Sequence, residues 1–118
     1  MKNLLILLTA TIFLILLSCE KTKLPIVLKK TVKYRVAGVS RNYWIQYNDE
    51  AGKYVQIRVN SNWEYEFKAR PDKYLYLSCR NNTNSGYVSV EILLNGKVFL
   101  SDETILPYGV AVTSGYVK

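Results

Sequence analysis

The chain has 118 residues and a formal net charge of +7, from 16 basic and 9 acidic side chains. It contains no histidine, which removes the commonest general base and metal ligand and excludes hydrolytic triads built on that residue. Its length is near that of a single domain, and 49% of its residues are hydrophobic, enough for one core without metals or disulfides.

The first nineteen residues have the layout of a lipoprotein export signal. Met1-Lys2-Asn3 is a short positive segment, and Leu4 to Leu17 is an apolar stretch shorter than the ~20 residues that a membrane-spanning helix needs. Leu16-Leu17-Ser18-Cys19 then matches a lipobox, in which a small residue precedes the cysteine whose thiolate takes up a diacylglyceryl group. The sequence therefore predicts cleavage between Ser18 and Cys19, and a lipid on Cys19 that holds the mature chain at a membrane of the bacterial cell envelope. The alternative is an ordinary secretory signal or an uncleaved anchor.

Three segments follow from this assignment: a signal peptide at residues 1–18, a lipidated tether at residues 19–30 and a folded domain at residues 31–118. Leu24 to Leu28 is an apolar stretch that either docks as an edge strand or spaces the domain from the bilayer. Because the predicted address lies outside the cytoplasm and no recognition motif is present, nucleic acid is not an expected partner.

Five lysines lie close to the predicted anchor: Lys21, Lys23, Lys29, Lys30 and Lys33. An anionic lipid surface would attract them. The simpler interpretation, which we favour at this point, is a solvated and flexible tether.

From Thr31 onward the chain alternates apolar and polar residues with period two, and no stretch has helical periodicity. In Trp63-Glu64-Tyr65-Glu66-Phe67-Lys68 every aromatic side chain points one way and every charge the other. Asn95-Gly96 predicts a two-residue type I′ hairpin, since both residues tolerate positive φ. Other breaks recur about every ten residues, near positions 48–52, 60–62, 70–72, 81–86 and 107–109. We predict an all-β, antiparallel β-sandwich of about seven to eight strands.

Cys79 is the only cysteine left if Cys19 carries a lipid, so it has no partner for a disulfide within the chain. It shares the apolar face of its strand with Leu75 and Leu77. We expect a buried, unreactive thiol in preference to a reactive or intermolecular one.

The carboxylates offer little that resembles a catalytic site. Asp49-Glu50 and Asp102-Glu103 are adjacent pairs that we place in turns as solvated turn formers. Glu64 and Glu66 share a strand face about 7 Å apart, at ~3.3 Å per residue, a spacing that paired glycosidase carboxylates can show, although a soluble outer surface is the simpler interpretation. We predict no enzyme activity, no catalytic residue, no metal site and no cofactor.

Ten tyrosines are more than a core of this size needs, and several fall on faces that the alternation turns outward. Tyrosine and arginine side by side suit contact with a glycan, a peptide or a protein, because tyrosine offers apolar area and a hydroxyl at little entropic cost. The alternative is that these tyrosines are merely favoured strand residues. The predicted binding surface consists of Tyr54, Arg58, Tyr74, Tyr76, Arg80 and Tyr87.

A series of short motifs between Tyr34 and Gly115 resembles the extracytoplasmic domain of the MmpS family and of related small bacterial lipoproteins. In chain order the motifs are Tyr34-Arg35-Val36-Ala37-Gly38, Ile45-Gln46-Tyr47-Asn48-Asp49, Gly52, Trp63, Val90-Glu91-Ile92 and Asn95-Gly96-Lys97-Val98.

The resemblance implies an immunoglobulin-like β-sandwich attached to a membrane by its N-terminus. In the MmpS family that domain assists a large transporter that moves lipids or siderophores. This chain departs from the family in having a lipobox where the family has a transmembrane helix, and in lacking a second mature cysteine for Cys79. The leading functional hypothesis is therefore an accessory module that meets an envelope protein, such as a transporter. The second hypothesis is capture of a glycan or small ligand by the outward tyrosines and arginines.

Overall fold

A computed structural model of the protein describes residues 28–39 and 41–118. The predicted signal peptide, the cleavage site at Ser18 and Cys19, the lipidation site and most of the tether lie outside these residues. The described residues contain no helix, and therefore no helix that is long and apolar enough to cross a membrane. The described part of the chain is all β, as the alternation predicts.

Eight strands follow one another along the chain, which agrees with the predicted number. They are β1 (Lys30–Gly38), β2 (Tyr43–Asn48), β3 (Tyr54–Val59), β4 (Trp63–Ala69), β5 (Tyr74–Asn81), β6 (Val88–Leu94), β7 (Lys97–Thr104) and β8 (Val110–Tyr116).

The strands form two four-stranded antiparallel sheets, with the orders β4-β1-β6-β7 and β3-β2-β5-β8. Only the β2–β3 and β6–β7 connections stay within a sheet, so the other five connections cross from one sheet to the other. This arrangement is that of a β-sandwich, in which each sheet turns one face to a shared core and the other to solvent.

The core is made by the inward positions of both sheets, as the period-two pattern requires. Tyr34 is fully buried and donates a hydrogen bond from its hydroxyl to the carbonyl oxygen of Asn48 at 2.8 Å. The rings of Tyr47 and Phe67 meet the ring of Tyr34 edge-on at 5.8 and 5.3 Å between centroids. The other fully buried apolar side chains include Val32, Val36, Ile45, Leu75, Leu77, Cys79, Val88, Val90 and Ile92.

The turn between β6 and β7 has the predicted two-residue form, with φ of 50° at Asn95 and 82° at Gly96. The side-chain oxygen of Asn95 also accepts a hydrogen bond from the backbone N–H of Thr31 at 3.0 Å, which fastens the turn to β1. The prediction for Asp102 and Glu103 is wrong: they lie within β7 and not in a turn, because the strand continues to Thr104 opposite Val88.

Asp102 joins the two sheets at one side of the sandwich. Its carboxylate accepts a hydrogen bond from the backbone N–H of Val112 at 2.9 Å. Val112 lies in β8, the edge strand of the second sheet, and Asp102 lies in β7, the edge strand of the first. A backbone donor on the β8 edge is thus occupied by a side chain of the neighbouring sheet.

The two ends of the sandwich differ in what they carry. The N-terminal pole, where the described chain begins at Leu28, is formed by residues 28–31, the turns at residues 49–53, 70–73 and 95–97, and the last residues, 117–118. The far pole is formed by residues 39, 41 and 42 and by the connections at residues 60–62, 82–87 and 105–109. The strands run between these poles.

Candidate ligand-binding face

Five of the six residues predicted to form a binding surface share the outer face of the β3-β2-β5-β8 sheet. They are Tyr54 and Arg58 on β3, and Tyr74, Tyr76 and Arg80 on β5. In sequence they lie up to 26 positions apart, and β2 lies between the two strands that carry them. We call this surface, with the outward residues of β2 and β8, the aromatic–arginine face.

Trp44 is at the centre of one row across this face. It is the register partner of Arg58 on one side and of Arg80 on the other. The guanidinium carbon of Arg58 lies 5.4 Å from the centroid of the indole ring, within the range of a cation–π contact. The row therefore consists of a flat aromatic side chain between two permanent positive charges.

The next row is polar and uncharged. Gln46 is paired with Gln56 on one side and with Ser78 on the other. The Ser78 hydroxyl donates to the side-chain oxygen of Gln46 at 3.4 Å. Amide and hydroxyl groups in such a row can both donate and accept hydrogen bonds.

Tyrosines occupy the part of the face nearer the N-terminal pole. The rings of Tyr54 and Tyr76 lie 6.4 Å apart, and those of Tyr74 and Tyr116 lie 5.4 Å apart. Tyr54 is 49% exposed and Tyr116 is 63% exposed, so their rings remain open to solvent. A second aromatic area thus lies nearer this pole, separated from Trp44 by the polar row.

A shallow hollow of about 110 Å³ lies in the face beside the indole of Trp44. Its other lining residues are Gln46, Ser78, Arg80 and Val110. A guanidinium, an amide and a hydroxyl therefore converge at the edge of an aromatic ring. In binding sites, a few polar groups placed in this way fix the orientation of the ligand.

No carboxylate projects from this face, where all fourteen outward positions of β3, β2, β5 and β8 are described by the structure. Arg58 and Arg80 are its only charged side chains at those positions. The face is therefore electropositive and suits an anionic ligand.

Tyr87, the sixth predicted residue, does not join the others. It precedes β6 at the far pole, and its hydroxyl donates to the carboxylate of Glu103 on β7 at 2.8 Å. That hydrogen bond raises the pKa of the Tyr87 hydroxyl above its ordinary value. Tyr87 thus belongs to the surface of the other sheet.

Two carboxylates on the outer face of the β4-β1-β6-β7 sheet form ion pairs with basic neighbours. Glu64 lies 3.9 Å from the amino group of Lys33, and Arg35 binds the carboxylate of Glu91 at 3.0 Å. Glu64 and Glu66 are both exposed, with Lys33 and Arg35 on the adjacent strand. This geometry is that of a charged, solvated sheet surface. Among the described residues, no three metal-ligating side chains of His, Cys, Asp or Glu lie together.

Cys79 is fully buried on the inward face of β5, as its alternation with Leu75 and Leu77 predicts. Burial raises the pKa of its thiol to about 12. The thiolate, which is the reactive form, is therefore disfavoured at neutral pH.

The connection between β7 and β8 presents apolar side chains at the far pole. Ile105 is 76% exposed, Leu106 is 66% exposed and Tyr108 is 61% exposed. The segment is fixed by backbone hydrogen bonds, from the N–H of Tyr108 to Thr83 at 2.9 Å and from the N–H of Gly109 to Leu106 at 2.9 Å. We call residues 105–108 the apolar tip.

Sequence reasoning missed Trp44, the residue of the face that lies between the two arginines. Tyr43, Ile45 and Tyr47 are buried, so the same alternation that orients the other strands turns Trp44 and Gln46 outward. That signal was available in the sequence. The position of Trp44 between two arginines was not, because it depends on β2 pairing with both β3 and β5.

No protein-family model matches the chain, and no curated protein matches it in sequence.

Proposed function

We propose that this chain is a non-enzymatic lipoprotein of the bacterial cell envelope whose domain binds an acidic saccharide on the aromatic–arginine face. The observation that carries the ligand assignment is the row Arg58–Trp44–Arg80 on a sheet face without carboxylates. The absence of histidine from the sequence, together with the ion pairs of Glu64 and Glu91 on the other sheet, supports a binding role over a catalytic one.

Each part of the row suits one part of such a ligand. The flat, apolar indole of Trp44 can stack on the carbon–hydrogen face of a sugar ring. A guanidinium such as that of Arg80 matches a carboxylate in geometry and charge, with two parallel hydrogen bonds. Gln46, Gln56 and Ser78 offer donors and acceptors to ring hydroxyls.

The membrane attachment rests on the lipobox at Leu16 to Cys19 and on the short interval between Cys19 and Lys30, where β1 begins. We also propose that the sandwich is of the immunoglobulin-like type and that the chain is related to the MmpS family. The ordered motifs support the kinship, and the five connections that cross between the sheets are compatible with that type of sandwich.

A second candidate is the accessory role, in which the domain meets an envelope protein such as a transporter. The apolar tip favours it, because Ile105, Leu106 and Tyr108 are held outward by a hydrogen-bonded loop and exposed apolar clusters mark contact sites. This role uses the apolar tip and ligand capture uses the outer face of a sheet, so the two roles are compatible.

The test of ligand capture is binding of the detergent-solubilised full chain to an array of neutral, carboxylated and sulfated oligosaccharides, followed by calorimetry on the best carboxylated one. We expect carboxylated chains to bind best. Trp44→Ala or Arg80→Gln should weaken binding about tenfold or more, because aromatic and arginine anchors dominate such contacts.

Tyr87→Ala and Arg41→Gln are the matched controls, since each removes an exposed residue of the same type outside the face. Equal losses in the controls and in the face variants would contradict the proposed site. If no saccharide binds while the solubilised chain brings down an envelope protein that Leu106→Ser releases, the accessory role is the correct one.

A further inference from the structure

The fold brings eight basic side chains together at the N-terminal pole. In the sequence they are spread over ninety positions, from the start to the end of the described residues. Seven of them, Lys29, Lys30, Lys53, Arg70, Lys73, Lys97 and Lys118, lie within the pole as defined above. The eighth is Lys68 near the end of β4, whose amino group donates a hydrogen bond to the Thr31 hydroxyl at the pole.

Hydrogen bonds fix the segments of this pole to one another. The amino group of Lys73 donates to the carbonyl oxygen of Glu50 at 2.8 Å, which joins the β4–β5 and β2–β3 turns. The backbone N–H of Asn95 donates to Thr31 at 2.8 Å, which places the β6–β7 turn beside the start of β1. The N–H of Val117 donates to Lys73 at 2.9 Å, so the last residues also lie here. The basic side chains thus project from one fixed platform.

The pole carries the whole net charge of the described domain. Residues 28–118 contain 13 basic and 8 acidic side chains, of which 8 basic and 3 acidic ones are at this pole. The remaining five basic and five acidic side chains cancel. The three acids are Asp49, Glu50 and Asp72.

The acidic residues of the pole offset only part of its positive charge, and among the described residues none of them forms an ion pair there. The Asp49 carboxylate accepts the backbone N–H of Lys53 at 2.8 Å and serves the turn. An open hollow of about 430 Å³ lies at the pole, bordered by four basic side chains and by Glu50 and Asp72. The four are Lys29, Lys68, Arg70 and Lys73. Both ion pairs found among the described residues, Lys33–Glu64 and Arg35–Glu91, lie on the outer face of the first sheet and not at the pole.

We propose that the N-terminal pole is a docking surface for anionic lipid headgroups, so that the domain stands on the membrane with its strands pointing away from it. Clustered lysines and arginines are attracted to a negatively charged leaflet, and the attraction fades within a Debye length of the surface. The chain that leads back towards Cys19 leaves the domain at this same pole, which keeps these charges near the bilayer. The proposal uses the lipid anchor at Cys19 proposed above, but it does not depend on what the aromatic–arginine face binds.

The test uses the full chain reconstituted into nanodiscs of phosphatidylcholine alone and of phosphatidylcholine with phosphatidylglycerol. Hydrogen exchange of the turns at residues 50–53, 70–73 and 95–97 should be several-fold slower in the anionic discs. The far-pole connections at residues 60–62 and 82–87 should not change. Salt near 1 M, where the Debye length is ~3 Å, should abolish the difference.

Two charge variants give the matched comparison. Lys53→Glu combined with Lys97→Glu should abolish the slowing, whereas Arg41→Glu, an exposed residue at the far pole, should retain it. Equal exchange in the two kinds of disc, or slowing that survives the double substitution, would overturn the proposal. A chain that co-elutes with neither kind of disc would overturn both the anchor and the docking surface, while co-elution with anionic discs alone would overturn the anchor and support the docking surface.

Discussion

Trp44 stands between Arg58 and Arg80 because β2 is hydrogen-bonded on both sides, to β3 and to β5. The alternation along β2 determines only that the Trp44 side chain points outward. Arg58 and Arg80 lie 14 and 36 residues after Trp44 in the sequence, and only the register of the sheet aligns them with it. Single residues make this contact, but the pairing of three strands brings them together.

The ten tyrosines divide into groups with different roles. Tyr34, Tyr43, Tyr47 and Tyr65 point into the core, where their rings fill space between the sheets. Tyr54, Tyr74, Tyr76 and Tyr116 lie on the aromatic–arginine face. Tyr87 and Tyr108 lie at the far pole. The excess of tyrosine over the needs of a core therefore corresponds to an actual aromatic surface.

Cys79 should be unreactive in the folded chain. Its thiol pKa is raised to about 12 by burial, against an ordinary value near 8.5, so the native state keeps the proton. The stability due to this neutral thiol is complete below about pH 8.5 and is lost as the pH rises towards 12. At pH 8 we expect negligible labelling by a thiol reagent until urea unfolds the chain.

A neighbouring position provides the control for that labelling. Arg80→Cys places a thiol on the outward side of the same strand, one residue from Cys79, and it should react rapidly without urea. Native labelling of Cys79 at the rate of this exposed thiol would contradict its burial.

At the scale of elements, Asp102 makes a hydrogen bond that joins the edge strands β7 and β8. Replacing it by alanine removes the acceptor for the Val112 N–H and leaves that donor on an exposed strand edge. We expect Asp102→Ala to lower the free energy of unfolding by about 0.5 to 1 kcal/mol, the usual contribution of an exposed side-chain hydrogen bond. Urea denaturation followed by tryptophan fluorescence would measure it.

Asp102→Asn keeps an acceptor oxygen and should recover most of this loss. Glu103→Ala removes the adjacent carboxylate, which bonds only to the Tyr87 hydroxyl among the contacts described for it, and should destabilise the domain less. If Glu103→Ala destabilises as much as Asp102→Ala, the hydrogen bond to Val112 is not what matters.

The elements that sequence predicts well are those fixed by local chemistry. The alternation of Trp63, Tyr65 and Phe67 with charged residues predicts the faces of β4, and Asn95-Gly96 predicts its hairpin because of its φ angles. Pairings between distant strands, such as β1 with β6, have no local signature. For the same reason the sequence predicts five of the residues on the candidate face but neither their convergence nor the separate position of Tyr87.

Asp102 and Glu103 show the opposite failure, in which a local signal misleads. Two adjacent carboxylates suggest a turn, since acidic residues are disfavoured in strands. Here they extend β7 because the strand lies at the edge of its sheet, where Asp102 reaches Val112 and Glu103 reaches Tyr87. The neighbouring strands, and not the local composition, decide this element.

At the scale of the whole molecule, the anchor and the fold should be separable. Both sheets and the buried core lie between Lys30 and Val117, so no contact of the described core requires the residue at position 19. We expect Cys19→Ser to abolish palmitate labelling and globomycin-sensitive processing, while the melting temperature of the domain stays unchanged.

Wild-type chain treated with globomycin is the control, because it retains Cys19 but should accumulate uncleaved. Normal palmitate labelling of Cys19→Ser would refute the lipid assignment. A lower melting temperature would show that the N-terminal segment contributes to the fold.

The central position of β1 has a mechanical consequence. β1 is the first strand of the described residues, and it is hydrogen-bonded along its length to β4 on one side and to β6 on the other. Given the lipid anchor and the ligand that we propose, a force that pulls the ligand away from the membrane would act along this strand. It would have to shear two ladders of hydrogen bonds at once, whereas an edge strand would be held by one. The strand that takes the tension is thus among those most firmly held in the domain.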